Sequence, residues 1–506
     1  MQGDGLVLYR GILCVDVVSN QIVWATAYDG SPTGATTVND FTMTTNGGTS
    51  WTAGSVLGGT TYGLGNISAI SATTAWVALY NGVGNQDNSC GVYKTTDGGT
   101  TWAQQPGALQ GANSFADNVY FWDANDGMCH GDVNGGYFEI YTTSNGGSTW
   151  TRVPQANINA TVATGEGGWT GVINAVGDST IAFGTNKSKV YVSNDRGHHW
   201  FAKPTGLLTT GNNAGVNEIK FTTPLHGLAA HATTTNSFQI AETFDGGNTW
   251  TLVTTTGTLY SASLGVAPGT NTFFASGAAQ NYSGFTYSFD GGHTWAEFLA
   301  QSGTQMLAQD WLNDSTGWVG TFVQDPPNDG MFKWEGVFAL PNANFIASDS
   351  NLTLGSTVTY TNLTGSATSY AWTFDGGSPG TFTGKTPPPI TYNSPGTFNT
   401  RLIATNSFGP DTLLKTGYIH VGGVGINEVP YASVTIYPNP AHGMLKVKTS
   451  DNVEAVQLFN LVGQVVVDQT MDSKEFSLNI EGLNPGVYTL KLTIGEKPYI
   501  RKIVVN

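Results

Sequence analysis

The carboxylates best placed for chemistry lie in glycine-rich stretches. Asp132 sits in His130-Gly131-Asp132-Val133-Asn134-Gly135-Gly136 and Glu166 in Gly165-Glu166-Gly167-Gly168-Trp169. Glycine lets a backbone approach a ligand closely, although the same pattern also makes an ordinary turn. Two carboxyl groups about 5–10 Å apart suffice to hydrolyse a glycosidic bond, so these two are the candidate catalytic residues. Further acids in predicted loops are Asp29, Asp40, Asp87, Asp325 and Asp329. Tyr80, Trp169 and Tyr282 could stack on sugar rings, and His231 is a further candidate ligand contact. Asp325 and Asp329, in Asp-Pro-Pro-Asn-Asp, are the candidate calcium ligands, but their oxygens lack the ordered spacing of a calcium loop. Cys129 and His130 make no nucleophile–base pair, because neighbours on a strand point to opposite faces.

Other chemistries are poorly supported. The three cysteines, Cys14, Cys90 and Cys129, form no Cys-x-x-Cys pair, so a zinc site has no basis and no cofactor is expected. Their odd number leaves at least one thiol unpaired within the chain; a Cys90–Cys129 bridge is one option. The net charge is −16, and residues 1–340 carry nine Lys and Arg against 24 Asp and Glu. Such an acidic surface repels phosphate backbones, which argues against nucleic acid as a partner. No apolar run reaches the ~18 residues of a transmembrane helix. The N-terminus lacks the charged and apolar regions of a signal peptide, so a leader is expected to have been removed.

The elements that must position these residues are repeats. An eight-residue pattern, Ser/Thr-x-Asp/Asn-x-Gly-x-x-Trp, occurs six times, from Thr44, Thr95, Thr143, Ser193, Thr243 and Ser288. Its structural residues are Asn46 and Trp51, Asp97 and Trp102, Asn145 and Trp150, Asp195 and Trp200, Asp245 and Trp250, and Asp290 and Trp295. The acid or amide can accept turn N–H groups, glycine takes the φ > 0 position, and the tryptophan packs beneath. Upstream of each box an apolar strand, a polar turn and a second apolar strand recur seven times, the last spanning Leu307 to Gly320. The seventh partner, Gly330 to Gly336, keeps a strand and Trp334 but loses the box. Seven units of 45–50 residues with four short strands each predict a seven-bladed β-propeller over residues 1–340; six or eight blades stay open because the ends are weakly marked.

The box resembles the Asp-box, or BNR repeat, of sialidase-like propellers. Its pairing with the upstream motif is similar to propellers of the photosystem II assembly-factor type and of xyloglucan-cleaving enzymes. The resemblance implies that the box acids are structural and that function sits on the opposite face. If each box joins a third strand to a fourth, that face holds the candidate acids and aromatics above. Sialidase chemistry, which the resemblance would imply through a three-arginine clamp, fits poorly. Arg10, Arg152 and Arg196 are the only arginines in this region, and Arg196 lies inside a box.

The chain changes character after residue 340. Ser369 to Gly377 followed by Ile390 to Thr412 resembles a PKD domain, a small immunoglobulin-like sandwich, over 341–423. Asp375-Gly376-Gly377 stands where that family has Gly-Asp-Gly, so only the strand-and-turn role carries over. Residues 424–506, with Ile436 to Val447, Val456 to Val466, Leu483 to Leu492 and a final Arg-Lys-Ile-Val-Val-Asn, resemble the type A sorting domain of the type IX secretion system of Bacteroidota. That resemblance implies export across the outer membrane through the type IX machinery, with residues 422–425 as a cleavage region. Asp411-Thr412-Leu413 is similar to a Bacteroidota O-glycosylation acceptor. The expected fold class is all-β: a propeller with two C-terminal immunoglobulin-like β-sandwich domains. The expected function is non-catalytic binding or adhesion at the cell surface, to a polysaccharide or a surface protein. The alternative is an endo-acting glycoside hydrolase using two carboxylates of the face opposite the boxes.

Overall fold

A computed structural model describes residues 2–32, 36–210, 214–279, 282–300, 304–324, 329–422, 434–495 and 497–506. Among these, every element is a strand except a single 3-10 turn, Gln155–Asn157. The chain divides into two compact units, Met1–Ala339 and Leu340–Asn506.

Among the described residues, the first unit contains seven sheets, each built on antiparallel strands. Sheet 1 is typical: Arg10–Val17 is innermost, followed by Val23–Asp29, Asp40–Thr44 and the outer Thr52–Ser55. The inner strands of sheets 2 to 7 are Tyr62–Ala69, Ala116–Phe121, Gly168–Val176, Glu218–Phe221, Ser263–Val266 and Met306–Asn313. Each inner strand touches the next, and that of sheet 7 returns to that of sheet 1. This closed ring of radial sheets is a β-propeller. Sheets 4 and 6 gain a short fifth strand, Ile158–Asn159 and Thr256–Gly257, each parallel to the outer strand.

Ring closure explains the missing seventh box. The fourth strand of sheet 7 is Gln2–Gly3, from the other end of the chain, paired through Gln2↔Met331 and Gly3↔Gly330. A box is the hairpin between a third and a fourth strand, and here those strands are not consecutive. Residues 334–338 instead fold into an aromatic cluster, with Phe338 buried against Trp311, Trp334 and Phe274.

All six boxes are built alike. In the fifth, the Thr243 hydroxyl donates to Asp245 Oδ1 (2.9 Å) and accepts the Gly247 N–H (2.9 Å), while Asp245 Oδ1 accepts the Thr249 N–H (2.8 Å). The same bonds hold Asp97 to Thr95 and Thr101, and Asn46 to Thr44 and Ser50. The box tryptophans pack edge-on beneath: Trp51 against Trp318 of sheet 7 and Trp102 against Trp24 of sheet 1. Replacing Thr243 by valine keeps the shape and strands the Gly247 N–H. It is expected to cost about 1–3 kcal/mol in urea unfolding followed by tryptophan fluorescence. An unchanged midpoint would mean that the hydroxyl does not hold the turn.

The three cysteines are free thiols, so the Cys90–Cys129 option is not realised. Cys129 packs among Val92, Val119 and Phe121, whereas the Cys90 thiol faces the Asp87 carboxylate at 3.8 Å.

In the second unit, residues 345–422 form a five-, a three- and a two-stranded sheet around Phe345, Tyr360, Trp372, Phe374 and Tyr392. Residues 435–505 form one five-stranded sheet with Leu445, Val447, Val456, Leu458, Leu490 and Leu492 at its core. Its long strand Met444–Phe459 pairs near its start with Thr435–Tyr437 and near its end with Thr489–Thr493. The cleavage region lies, beyond Gly422, outside the described residues.

Candidate functional site

The inner strands surround a cavity of about 690 Å³ lined by Asp16, Tyr120, Trp169, Glu218, Lys220 and Asp310, among others. Neighbouring inner strands splay apart and cannot ladder through their backbones, so side chains span every junction. Asp16 accepts the Ala69 N–H, and Asn66 both accepts from and donates to Val119. Asn118 accepts the Gly171 N–H (2.9 Å) and donates to the Trp169 carbonyl (3.0 Å), and Asn174 accepts the Phe221 N–H (2.8 Å). Glu218 accepts from Leu264 N–H, Gln309 donates to the Ser263 carbonyl (2.9 Å), and Asp310 accepts the Val17 N–H (2.8 Å). Burial, reinforced by the Asp310 charge, pushes Asp16 up to about 8; burial likewise raises Glu218 to about 7, against the pull of Lys220. Sequence reasoning missed these channel acids. Their signal was an Asp, Asn, Glu or Gln inside every inner strand except that of sheet 6, Ser263–Val266, with Gln309 and Asp310 together in that of sheet 7.

Most of the acids nominated from sequence are tied to their own loops. Asp29 accepts N–H and hydroxyl bonds from Ser31 and Thr36 and pairs with Arg10 at 3.3 Å; the Ser31 hydroxyl, first among these, holds it well below the usual carboxylate range. Asp40 takes Arg10 Nε at 2.6 Å and the Ser55 hydroxyl at 2.7 Å. Burial raises Asp87, but bonds from the Ser89 N–H, Asn81 and Tyr62 outweigh it and hold the group low. Glu166 is buried; Lys189 Nζ (2.7 Å) and the Ala163 N–H (2.7 Å) take one oxygen and the Thr185 hydroxyl (3.1 Å) takes the other. Asp329 accepts the Gln324 N–H at 2.8 Å, and Asp325 lies outside the described residues. No group of three or more His, Cys, Asp or Glu among the described residues could hold a metal ion.

The structure brings Asp132 to the Gly165–Trp169 loop. Asp132 Oδ1 accepts the Gly168 N–H at 2.9 Å, and a Cβ on Gly167 would lie 2.6 Å from that oxygen. Behind the loop is Asp117, a residue not nominated from sequence, whose Oδ2 lies 4.0 Å from His130 Nδ1. Burial, then the charge of Asp132, raises Asp117 well above its ordinary value; Asp132 itself is raised by burial. Burial drops His130 to about 3, so it is neutral, stacked on Phe183 at 4.1 Å and beside the Asn118 amide at 3.0 Å. Asp117 and Asp132 thus flank Gly168, but the Asp117 side chain is only 3% exposed.

The aromatic candidates do not converge on one point. Trp169 lines the cavity, its Nε1 donating to the Ala214 carbonyl at 3.2 Å. Tyr80 stacks on Phe115 (4.9 Å), close enough to Asp117 for that charge to add to the effect of burial on its hydroxyl. Tyr282 is exposed on a separate hairpin against Tyr260 (5.0 Å). His231 is buried, with Nδ1 3.2 Å from the Gly215 carbonyl.

Comparison with known families decides the part of the chain after residue 340. Residues 342–416 match the PKD domain, and residues 435–506 match the secretion system C-terminal sorting domain. The chain ends in a sorting domain. It is exported by the type IX secretion system and is secreted or held at the outer-membrane surface. No helix among the described residues is long and apolar enough to cross a membrane. A search of curated proteins found no match. Among solved structures, the chain is similar to YCF48 from Cyanidioschyzon merolae (15% identity, TM-score 0.44, covering 66% of this chain and 98% of that one). It is also similar to the Niastella koreensis GH74 enzyme (14%, TM-score 0.44, 99% and 80%) and to the GH74 xyloglucanase from Xanthomonas campestris (11%, TM-score 0.43, 99% and 92%).

Proposed function

We propose that this exported protein is a binding module of the cell surface, whose propeller meets a polysaccharide or a surface protein through the loops opposite the boxes. The observation that carries this reading is the engagement of the loop acids. Asp29, Asp40, Asp87 and Glu166 are each held by two or more bonds, which leaves them without the freedom a hydrolytic acid or base needs, and Asp29 and Glu166 are buried as well. A rigid ring that shows ligands its loops is the ordinary way such a scaffold is used.

One observation favours hydrolysis: Asp132 lies close enough to Asp117 for its charge to add to burial in raising that carboxyl well above its ordinary value. The burial of Asp117 weighs against it, because a glycosidic oxygen must touch the acid that protonates it. Purified full-length chain is therefore expected to release no oligosaccharide from plant, algal or host polysaccharides by chromatography. Trp169→Ala is expected to weaken binding to the recognised polymer about ten-fold. Product release abolished by Asp132→Asn would instead make the protein a hydrolase.

A further inference from the structure

We infer that the export machinery grips this chain through one hairpin tip of the sorting domain, Asn460–Val466, by taking Leu461 and Val462 into an apolar pocket. The inference rests on residues 435–506 being the sorting domain and adds where that domain is recognised. Leu461 is 81% and Val462 79% exposed, the two most exposed large apolar side chains among the described residues, and Val465 (47%) and Val466 (36%), on opposite faces of the strand that follows, are also exposed.

The tip is built to stay rigid. Asn460 Oδ1 accepts the N–H groups of Val462 (3.1 Å) and Gln464 (2.9 Å), its own N–H donates to the Gln464 carbonyl (3.0 Å), and its carbonyl accepts the Gly463 N–H (3.0 Å). Its Nδ2 also donates to Gln464 Oε1 at 3.0 Å. Two aliphatic side chains are thus held out in water with their backbone already ordered, which lowers the entropy cost of docking. Exposed apolar side chains of this kind, gathered in one place, mark an interaction site.

The occupant is a protein. No charged residue occurs from Phe459 to Val467, whereas exposed positions elsewhere in the domain carry charges such as Lys448, Asp472 and Glu475. An anionic membrane surface would be met by basic residues beside the apolar ones, and the tip has none. The strand after the tip, Val465–Asn479, pairs only with Met444–Phe459 among the described residues, so its other edge offers backbone donors and acceptors next to the apolar pair. A receptor with an apolar pocket beside a free strand would use both.

The test is export of the full chain, preceded by a leader, from a bacterium with a working type IX system. Leu461→Asp combined with Val462→Asp is expected to reduce extracellular chain about ten-fold or more, with folded protein retained in the periplasm. Leu461→Met with Val462→Ile, which keeps the tip apolar, should export like the parent. Both pairs should unfold at the parent's midpoint, since neither side chain is packed. Export of the double aspartate variant within about two-fold of the parent overturns the inference, provided that deleting 435–506 still abolishes export. If the deleted chain is itself exported, the sorting assignment falls and this inference with it. A dimer of the parent that is lost in the aspartate variant, with export unchanged, would make the tip a self-association surface and also overturn it.

Discussion

Replacing Gly330 by alanine is expected to lower the stability of the propeller by about 3–5 kcal/mol. Gly330 has φ +124°, a region alanine enters only with strain, and a Cβ there would lie 2.1 Å from Asp4 Oδ2. Asp4 cannot easily retreat. It is buried, its Oδ1 accepts the Leu6 N–H at 2.9 Å, and its carbonyl accepts the Thr42 hydroxyl of sheet 1. The added methyl therefore pushes on the segment that joins the N-terminal strand to sheet 7 and ties it to sheet 1. Because that strand closes the ring, the damage is not confined to one turn. Urea unfolding followed by tryptophan fluorescence reads the effect cleanly, since every tryptophan except Trp372 precedes residue 340. A midpoint equal to the parent's would mean that the closing strand contributes little.

The second large effect is a dependence on pH that the Asp16→Asn substitution should weaken. Asp16 is raised to about 8 and Glu218 to about 7, against ordinary values near 4, chiefly by burial in the channel. An acid whose pKa is raised on folding binds its proton more tightly in the folded state. Its stabilising contribution is complete below about pH 4 and is lost as pH rises through the folded value. The propeller is therefore expected to lose stability between pH 5 and 9. At pH 9 the ionised Asp16 faces a low-dielectric wall and the Asp310 carboxyl. Asparagine keeps an oxygen for the Ala69 N–H without that charge, as Asn66, Asn118 and Asn174 do at other junctions of the ring. The Asp16→Asn variant should exceed the parent by about 1–3 kcal/mol at pH 9 and lie close to it at pH 5. A parent midpoint that is flat across this range, or a variant weaker at pH 9, would refute the assignment.

What the sequence determined by itself is what short-range physics controls. A box closes through bonds between residues two and four apart, such as Thr243 with Asp245 and Gly247. Ser/Thr, Asp/Asn, Gly and Trp at fixed offsets therefore suffice to announce the hairpin, and six copies announce the repeat. Tertiary structure decided where each acid's charge is spent. Asp132 meets a backbone amide 36 residues away, Asp16 one 53 residues away and Asp310 one 293 residues away. Glu166 and Asp132 look equivalent as acids in glycine-rich loops, yet one is consumed by Lys189 and the other lies against Gly168 and the unforeseen Asp117. The missing seventh box belongs here too. No local pattern reports that a third strand will find its fourth partner at the opposite end of the chain, because that pairing exists only once the ring has closed.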